Sequence, residues 1–271
     1  MALADYEKAK KLGEKSYRQD VNTGHYPYLP ALYDMLKRPA TRREDKIGLM
    51  EIPIRLICGT LTKGRQEAFA KNYMPLLSPD SEFAMKWINL FSHQANEGIR
   101  DPINAYEFLG RFYVAEGNKR VSVLKYVGQP DILADIIRII PDDNDSSQEV
   151  MIYREFMKFF DCTSIYGIYF TAEGSYQRLA EIYGQDLASK WPEDVKKQLQ
   201  SEFYNFSRLY ADHTGNHSVL FYGDVFMIYI KLYQHSSLLE DSDAVIRDNL
   251  EHIWPSHKSF LQKLKALYDM L

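Results

Sequence analysis

The stretch that decides the reading is Phe112-Tyr113-Val114-Ala115-Glu116-Gly117-Asn118-Lys119-Arg120-Val121-Ser122-Val123-Leu124. Its first residues are aromatic, β-branched or small and suit a strand. Val121, Leu124 and Val123, Val127 then recur at i, i+3 and i, i+4, the spacing of a helix that ends at Gly128 with Pro130 two residues beyond. Gly117 therefore sits where a strand gives way to a helix. The first amides of a helix have no partner within it, and glycine lets an anion approach them without a Cβ in the way. Lys119 and Arg120 add a mobile point charge and a planar fork at the same place, and Ser122 adds a hydroxyl. Gly117, Asn118, Lys119, Arg120 and Ser122 are candidates for binding phosphate. The same composition also suits a helix-opening turn that uses glycine for geometry and basic residues for solvation.

Working outward from that stretch, Pro102–Phe108 and Arg111–Ala115 flank Leu109-Gly110 and predict a hairpin whose second strand runs into Glu116-Gly117. Ile132–Ile140 predicts a closing strand. Upstream, Met50–Gly59 reads as one strand, with Pro53 at an edge or strand start. The basic loop Lys63-Gly64-Arg65-Gln66 follows, then a helical stretch around Glu67–Tyr73. On their own, Lys63 and Arg65 suit an ordinary basic loop leading into that helix. A helix opens at Ser78-Pro79-Asp80-Ser81-Glu82, with a hydroxyl cap, proline in the first turn and early acids, and buries Phe83, Trp87, Ile88, Leu90 and Phe91. Residues 2–37 predict one or two polar helices broken at Asn22-Thr23-Gly24, with Tyr26 to Leu36 at helical spacing. The basic run 37–46 reads as a solvated linker.

Beyond the polar boundary at Asp142–Ser147 the chain reads as mainly helical. Helices are expected at Glu149–Phe160, Ser175–Tyr183, Pro192–Tyr210, Asp224–Tyr233, Asp243–Ile253 and Lys258–Met270, with a strand-like Ile165–Phe170. The organisation expected is a helical N-terminal arm (1–47), a small mixed α+β domain (48–141) and a mainly α-helical domain (142–271).

Composition excludes several classes. The chain has 271 residues, 45% of them hydrophobic, enough to build a substantial core. No run is long and apolar enough to cross a membrane, since Leu220–Leu232 is too short and holds Gly223-Asp224. The charged N-terminus lacks the apolar core of a signal peptide, so a cytoplasmic location and no membrane partner are expected. Cys58 and Cys162 lack CxxC spacing and read as buried reduced thiols. His213 and His217 are four apart, but Gly215-Asn216 lies between them, so no metal site is expected. The acids at 142–145 lack the glycine and glutamate of a calcium loop. Residues 1–141 hold 21 Lys and Arg against 17 Asp and Glu, and residues 142–271 hold 12 against 20. The halves stand at +4 and −8, which suits an anionic ligand in the first but not strong duplex binding by the whole.

The pattern of an apolar strand, G-x-x-R and an apolar helix at Phe112–Leu124 resembles the second signature box of the ParB/sulfiredoxin superfamily. The strand before Gly59, the hairpin and the closing strand fall in that family's order, over about residues 48–141. The resemblance implies a ParB/sulfiredoxin-like fold binding a nucleoside triphosphate, CTP or ATP with Mg2+, through its phosphates. It also implies a DNA-associated or regulatory role, with DNA as a further partner. Gly59–Gln66 matches the first ParB box loosely, which implies Lys63 and Arg65 as further phosphate candidates and Gln66 as a contact for a base or sugar. Asn118 stands where sulfiredoxin has its catalytic cysteine, which excludes sulfinic-acid repair, and where ParB proteins usually have glutamate. Glu116, just before the glycine, is closer to the D-G-x-x-R of the serine-kinase branch, making it the candidate catalytic residue. Three readings stand: a ParB-like nucleotide-binding regulator, a small-molecule kinase or nucleotide hydrolase, and a non-catalytic sensing or scaffold module.

Overall fold

In the computed structural model the chain divides into two compact units, Met1–Asp145 and Ser146–Leu271. The structure describes residues 2–36, 43–214 and 222–253. Lys37, Arg38 and Arg42 of the expected linker, His217 and the expected helix at 258–270 lie outside those residues. So do the side chains of Arg65, Asp212 and His213. The fold is α+β. With the boundary at Asp145, three aspartates join the first unit, and the two charges become +1 and −5.

The first unit opens with α1 (Ala2–Asn22), which buries Tyr6, Ala9 and Gly13. A Cβ on Gly13 would lie 2.6 Å from the Pro75 carbonyl oxygen, so this helix packs where only glycine allows so close an approach. Tyr26 to Leu36 is not the expected helix. Pro27 and Pro30 interrupt it, Tyr28 and Ala31 form bridges to Ala70 and Thr60, and only α2 (Leu32–Met35) is helical.

The expected strand Met50–Gly59 is two strands, β1 (Arg43–Pro53) and β2 (Ile57–Thr60), separated by a 3-10 turn at Ile54–Leu56. Arg43 and Lys46 are thus strand residues rather than linker. Pro53, at φ −61°, supplies no amide to the ladder and starts the turn. The hairpin β3 (Ile103–Phe108) and β4 (Arg111–Glu116) and the last strand β5 (Asp131–Ile140) form as expected. Among the described residues they make one mixed sheet in the order β1-β5-β3-β4-β2. Its outer strands are joined by only three residues. The four chain steps from Pro53 to Ile57 reach about 14 Å, whereas four strand spacings across a flat sheet take about 19 Å. The sheet must therefore curl, bringing the end of β1 towards the start of β2.

Helix α3 (Glu82–Asn96) is capped by Ser81, whose Oγ accepts from the Ala84 amide at 3.1 Å; Pro79 precedes the cap. It buries Ala84 and Trp87, and the Trp87 ring meets Tyr6 edge-on at 5.4 Å and stacks on Phe91 at 5.6 Å. Helix α4 (Asn118–Tyr126) buries four successive residues, Val121 to Leu124. It is enclosed on more than one side, which explains its weak amphipathic pattern. The stretch expected to be helical near Glu67 is instead a 3-10 helix at Lys63–Ala68, after which Phe69 and Ala70 make bridges.

The second unit holds α5 (Gln148–Thr163), α6 (Ser175–Ile182), α7 (Glu193–Thr214), α8 (Tyr222–Tyr233), α9 (Ser237–Glu240) and α10 (Asp243–Ile253). Every residue from Tyr222 to Ile230 is buried, as expected of a core helix. Ile165–Phe170 is not a strand. It passes so close to α8 that a Cβ on Gly223 would lie 2.0 Å from the Tyr169 carbonyl oxygen, and the Thr171 amide donates to Asp224 at 3.1 Å. Among the described residues no helix is long and apolar enough to cross a membrane.

Candidate functional site at the start of α4

Gly117 joins β4 to α4 in the left-handed region, at φ 106°. A Cβ there would fall 2.5 Å from Ile103 Cγ2, so glycine is required by geometry and packing before any ligand is considered. Asn118 links the start of α4 to the end of β2. The Thr60 hydroxyl donates to the Val114 carbonyl at 3.0 Å, which leaves its oxygen to accept from Asn118 Nδ2 at 3.5 Å. The assignment leaves Asn118 Oδ1 buried without a hydrogen-bond partner.

The two basic residues at the start of α4 divide their roles. Arg120 turns back on its own scaffold: its guanidinium donates to the carbonyls of Asp101, at 3.1 Å, and Pro102, and lies 3.7 Å from Glu116. Its fork is occupied in fixing the turn before β3, so Arg120 shapes the site rather than reaching into a cleft. Lys119 projects the other way, its ammonium 5.0 Å from the centre of the Phe83 ring. Ser122 is fully buried, with its hydroxyl accepting from Trp87 Nε1 at 2.9 Å. That places it in the core, away from any phosphate. Glu116 is exposed, accepts from Asn104 Nδ2 at 3.3 Å and does not line the cleft.

A cleft of about 610 Å3 lies beside this turn, lined among others by Lys63, Gln66, Glu82, Phe83, Lys86 and Lys119. It brings together the 3-10 helix Lys63–Ala68, the start of α4 and the first turn of α3. Lys63 reaches Asp34 at 3.0 Å and Lys86 reaches Glu82 at 2.5 Å. Gln66 is buried at the cleft wall, and its Oε1 accepts from the Tyr26 hydroxyl at 2.6 Å. Of the phosphate candidates, Lys63 and Lys119 therefore meet at one cavity. Glu82, Phe83 and Lys86 also line the cleft, and no motif marks them as ligand residues. The only sign in the sequence is the charge pair at i, i+4 on the outer face of a capped helix.

Behind the site, Lys125 of α4 donates to the Ile57 carbonyl at 2.8 Å and lies 5.0 Å from the centre of the Tyr73 ring. Burial lowers its pKa to about 8 and pushes the Cys58 thiol up. Both cysteines are free thiols, Cys58 half-buried and Cys162 buried. Among the described residues no group of three His, Cys, Asp or Glu side chains is arranged to hold a metal ion. No model of a known protein family matches the chain and no curated protein matches it.

Proposed function

We propose that the first unit binds a phosphate-bearing ligand, a nucleoside triphosphate such as CTP or ATP, in the cleft beside the start of α4, and serves as a nucleotide-binding regulatory factor. The observation that carries this reading is the convergence of Lys63, Lys86 and Lys119, from three separate segments, on one cavity of about 610 Å3 next to a helix N-terminus. That volume lies in the usual range of small-molecule sites. The helix dipole favours the same sign of ligand charge as the lysines do.

Within the cleft Lys119 acts as the ligand-facing cation, and Arg120 holds the turn that positions it. Magnesium bound to a nucleotide needs only one or two protein carboxylates besides the phosphates. Glu67 and Glu82 line the cleft and fit that donor set, whereas Glu116 faces the Arg120 guanidinium instead. Charges of +1 and −5 on the two units give a DNA role no electrostatic support. A thermal-shift screen of CTP, ATP, GTP and ADP with Mg2+ tests the reading, because a ligand that binds only the native state raises the midpoint. No shift with any of them, on wild-type protein, refutes it.

A further inference from the structure

The loop between α1 and α2 supplies one wall-side feature that phosphate binding does not use. Its path is fixed at several points. The His25 amide donates to the Asp20 carbonyl at 2.8 Å, Tyr28 bridges to Ala70, and the Lys71 amide donates to the Pro27 carbonyl at 2.9 Å. Between these anchors stands Tyr26, 55% exposed, with its hydroxyl held by Gln66 of the cleft wall. Its ring packs edge-on with Tyr28 at 5.7 Å, and Tyr28 in turn packs edge-on with Tyr17 at 5.4 Å.

An aromatic ring left this exposed is normally free to turn. Here the neighbouring Tyr28 ring and a hydrogen bond to Gln66 hold it in one place, and Gln66 lines the same cavity as Lys63 and Lys119. A flat, pre-positioned π surface tied to the wall of a cation-lined cavity is the combination that holds a base while its phosphates are neutralised. We infer that Tyr26 is the stacking platform for the base of the bound ligand, so that the site selects a nucleotide over a bare polyphosphate. Gln66, fixed by accepting the Tyr26 proton, keeps its Nε2 group as a donor for a base or ribose oxygen. The inference rests on the phosphate-site reading above and is separable from it by the choice of ligands.

The test compares ATP, CTP and inorganic tripolyphosphate by calorimetry on wild type, Tyr26→Phe and Tyr26→Ala, each checked by its thermal midpoint. The expected result is that wild type binds a nucleotide more tightly than tripolyphosphate. Tyr26→Ala should weaken nucleotide binding roughly ten- to hundredfold, the worth of one base stacked on an aromatic side chain, and leave tripolyphosphate unchanged. Tyr26→Phe, which keeps the ring and loses the Gln66 hydrogen bond, should retain most of the nucleotide affinity. Equal losses for nucleotide and tripolyphosphate, or no loss for either, overturn the role of Tyr26 while leaving the phosphate site standing. Failure of wild type to bind any of the three overturns both.

Discussion

Substituting Gly117 by alanine probes the turn on which the site is built, and its cost can be worked from the structure. Two penalties add. Holding an L-residue in the left-handed region costs about 1–2 kcal/mol, and at φ 106° alanine incurs it. The new methyl would also fall 2.5 Å from Ile103 Cγ2 and 3.1 Å from Ile103 Cβ, on a buried strand residue that cannot swing away. Overpacking of this kind costs about 1–3 kcal/mol. The sum is about 2–5 kcal/mol. Two other glycines separate the terms. Gly128 shares the positive φ, at 76°, but has nothing within 4 Å of its Cβ position, so Gly128→Ala should cost only the backbone term. Gly64 has open space and no positive φ, so Gly64→Ala should be neutral or slightly stabilising. Urea denaturation of the three variants gives the ranking, provided the slope with denaturant is unchanged. A Gly117→Ala cost no larger than that of Gly128→Ala would show that the contact with Ile103 does not constrain the turn.

Further outcomes follow from other buried groups. Glu107 and Arg138 face each other on β3 and β5, fully or almost fully buried, with Arg138 Nε donating to Glu107 Oε2 at 2.5 Å and the Gly110 amide donating to Oε1 at 2.7 Å. Glu107→Ala strands a buried guanidinium and should cost about 3–5 kcal/mol in denaturant; a loss below about 1 kcal/mol contradicts the pairing. Ser122→Ala should lower stability by about 1–3 kcal/mol by leaving Trp87 Nε1 without its acceptor, and leave ligand affinity untouched. A large affinity loss would return Ser122 to the site. Burial raises the Asp224 carboxyl to about 6, against the hydrogen bond from Thr171, which lowers it. The folded state thus holds this proton more tightly than the unfolded chain. The contribution is full below about pH 4 and is lost as pH rises through 6, a change of about 3 kcal/mol at most. Asp224→Asn should flatten the fall in stability between pH 4 and 6; an unchanged pH profile refutes the shift.

What could be read from the sequence, and what could not, follows a physical line. The hairpin, α3, α4, β5 and most helices of the second unit were legible because each carries its own period and punctuation, such as Leu109-Gly110 in the hairpin turn, Ser81 at a cap or Gly128 past a helix end. Misread stretches were those whose form depends on distant neighbours. Met50–Gly59 is apolar apart from Glu51 and Arg55 and rich in isoleucine, so nothing local tells that its two ends join opposite edges of a curled sheet. Ile165–Phe170 is β-branched and aromatic like a strand but lies against Gly223 instead of another strand. The site shows the same division. Gly117 was legible from its strand-to-helix context. The opposite directions taken by Lys119 and Arg120, adjacent in sequence, are set by Phe83 on one side and the Asp101 and Pro102 carbonyls on the other. The burial of Ser122 is set by Trp87, 35 residues away.

The most direct test of the central claim is calorimetric titration of a nucleoside triphosphate with Mg2+ into wild type, Lys119→Ala and Arg120→Ala, alongside their unfolding curves. A site organised as described gives measurable binding in wild type and, for Lys119→Ala, a clear loss of affinity with a stability loss of only about 1 kcal/mol. For Arg120→Ala it gives a fall in stability together with weaker binding, because the turn loses its tie to β3. Absence of binding in wild type, or an affinity indifferent to Lys119, contradicts a phosphate site at Gly117-Asn118-Lys119-Arg120.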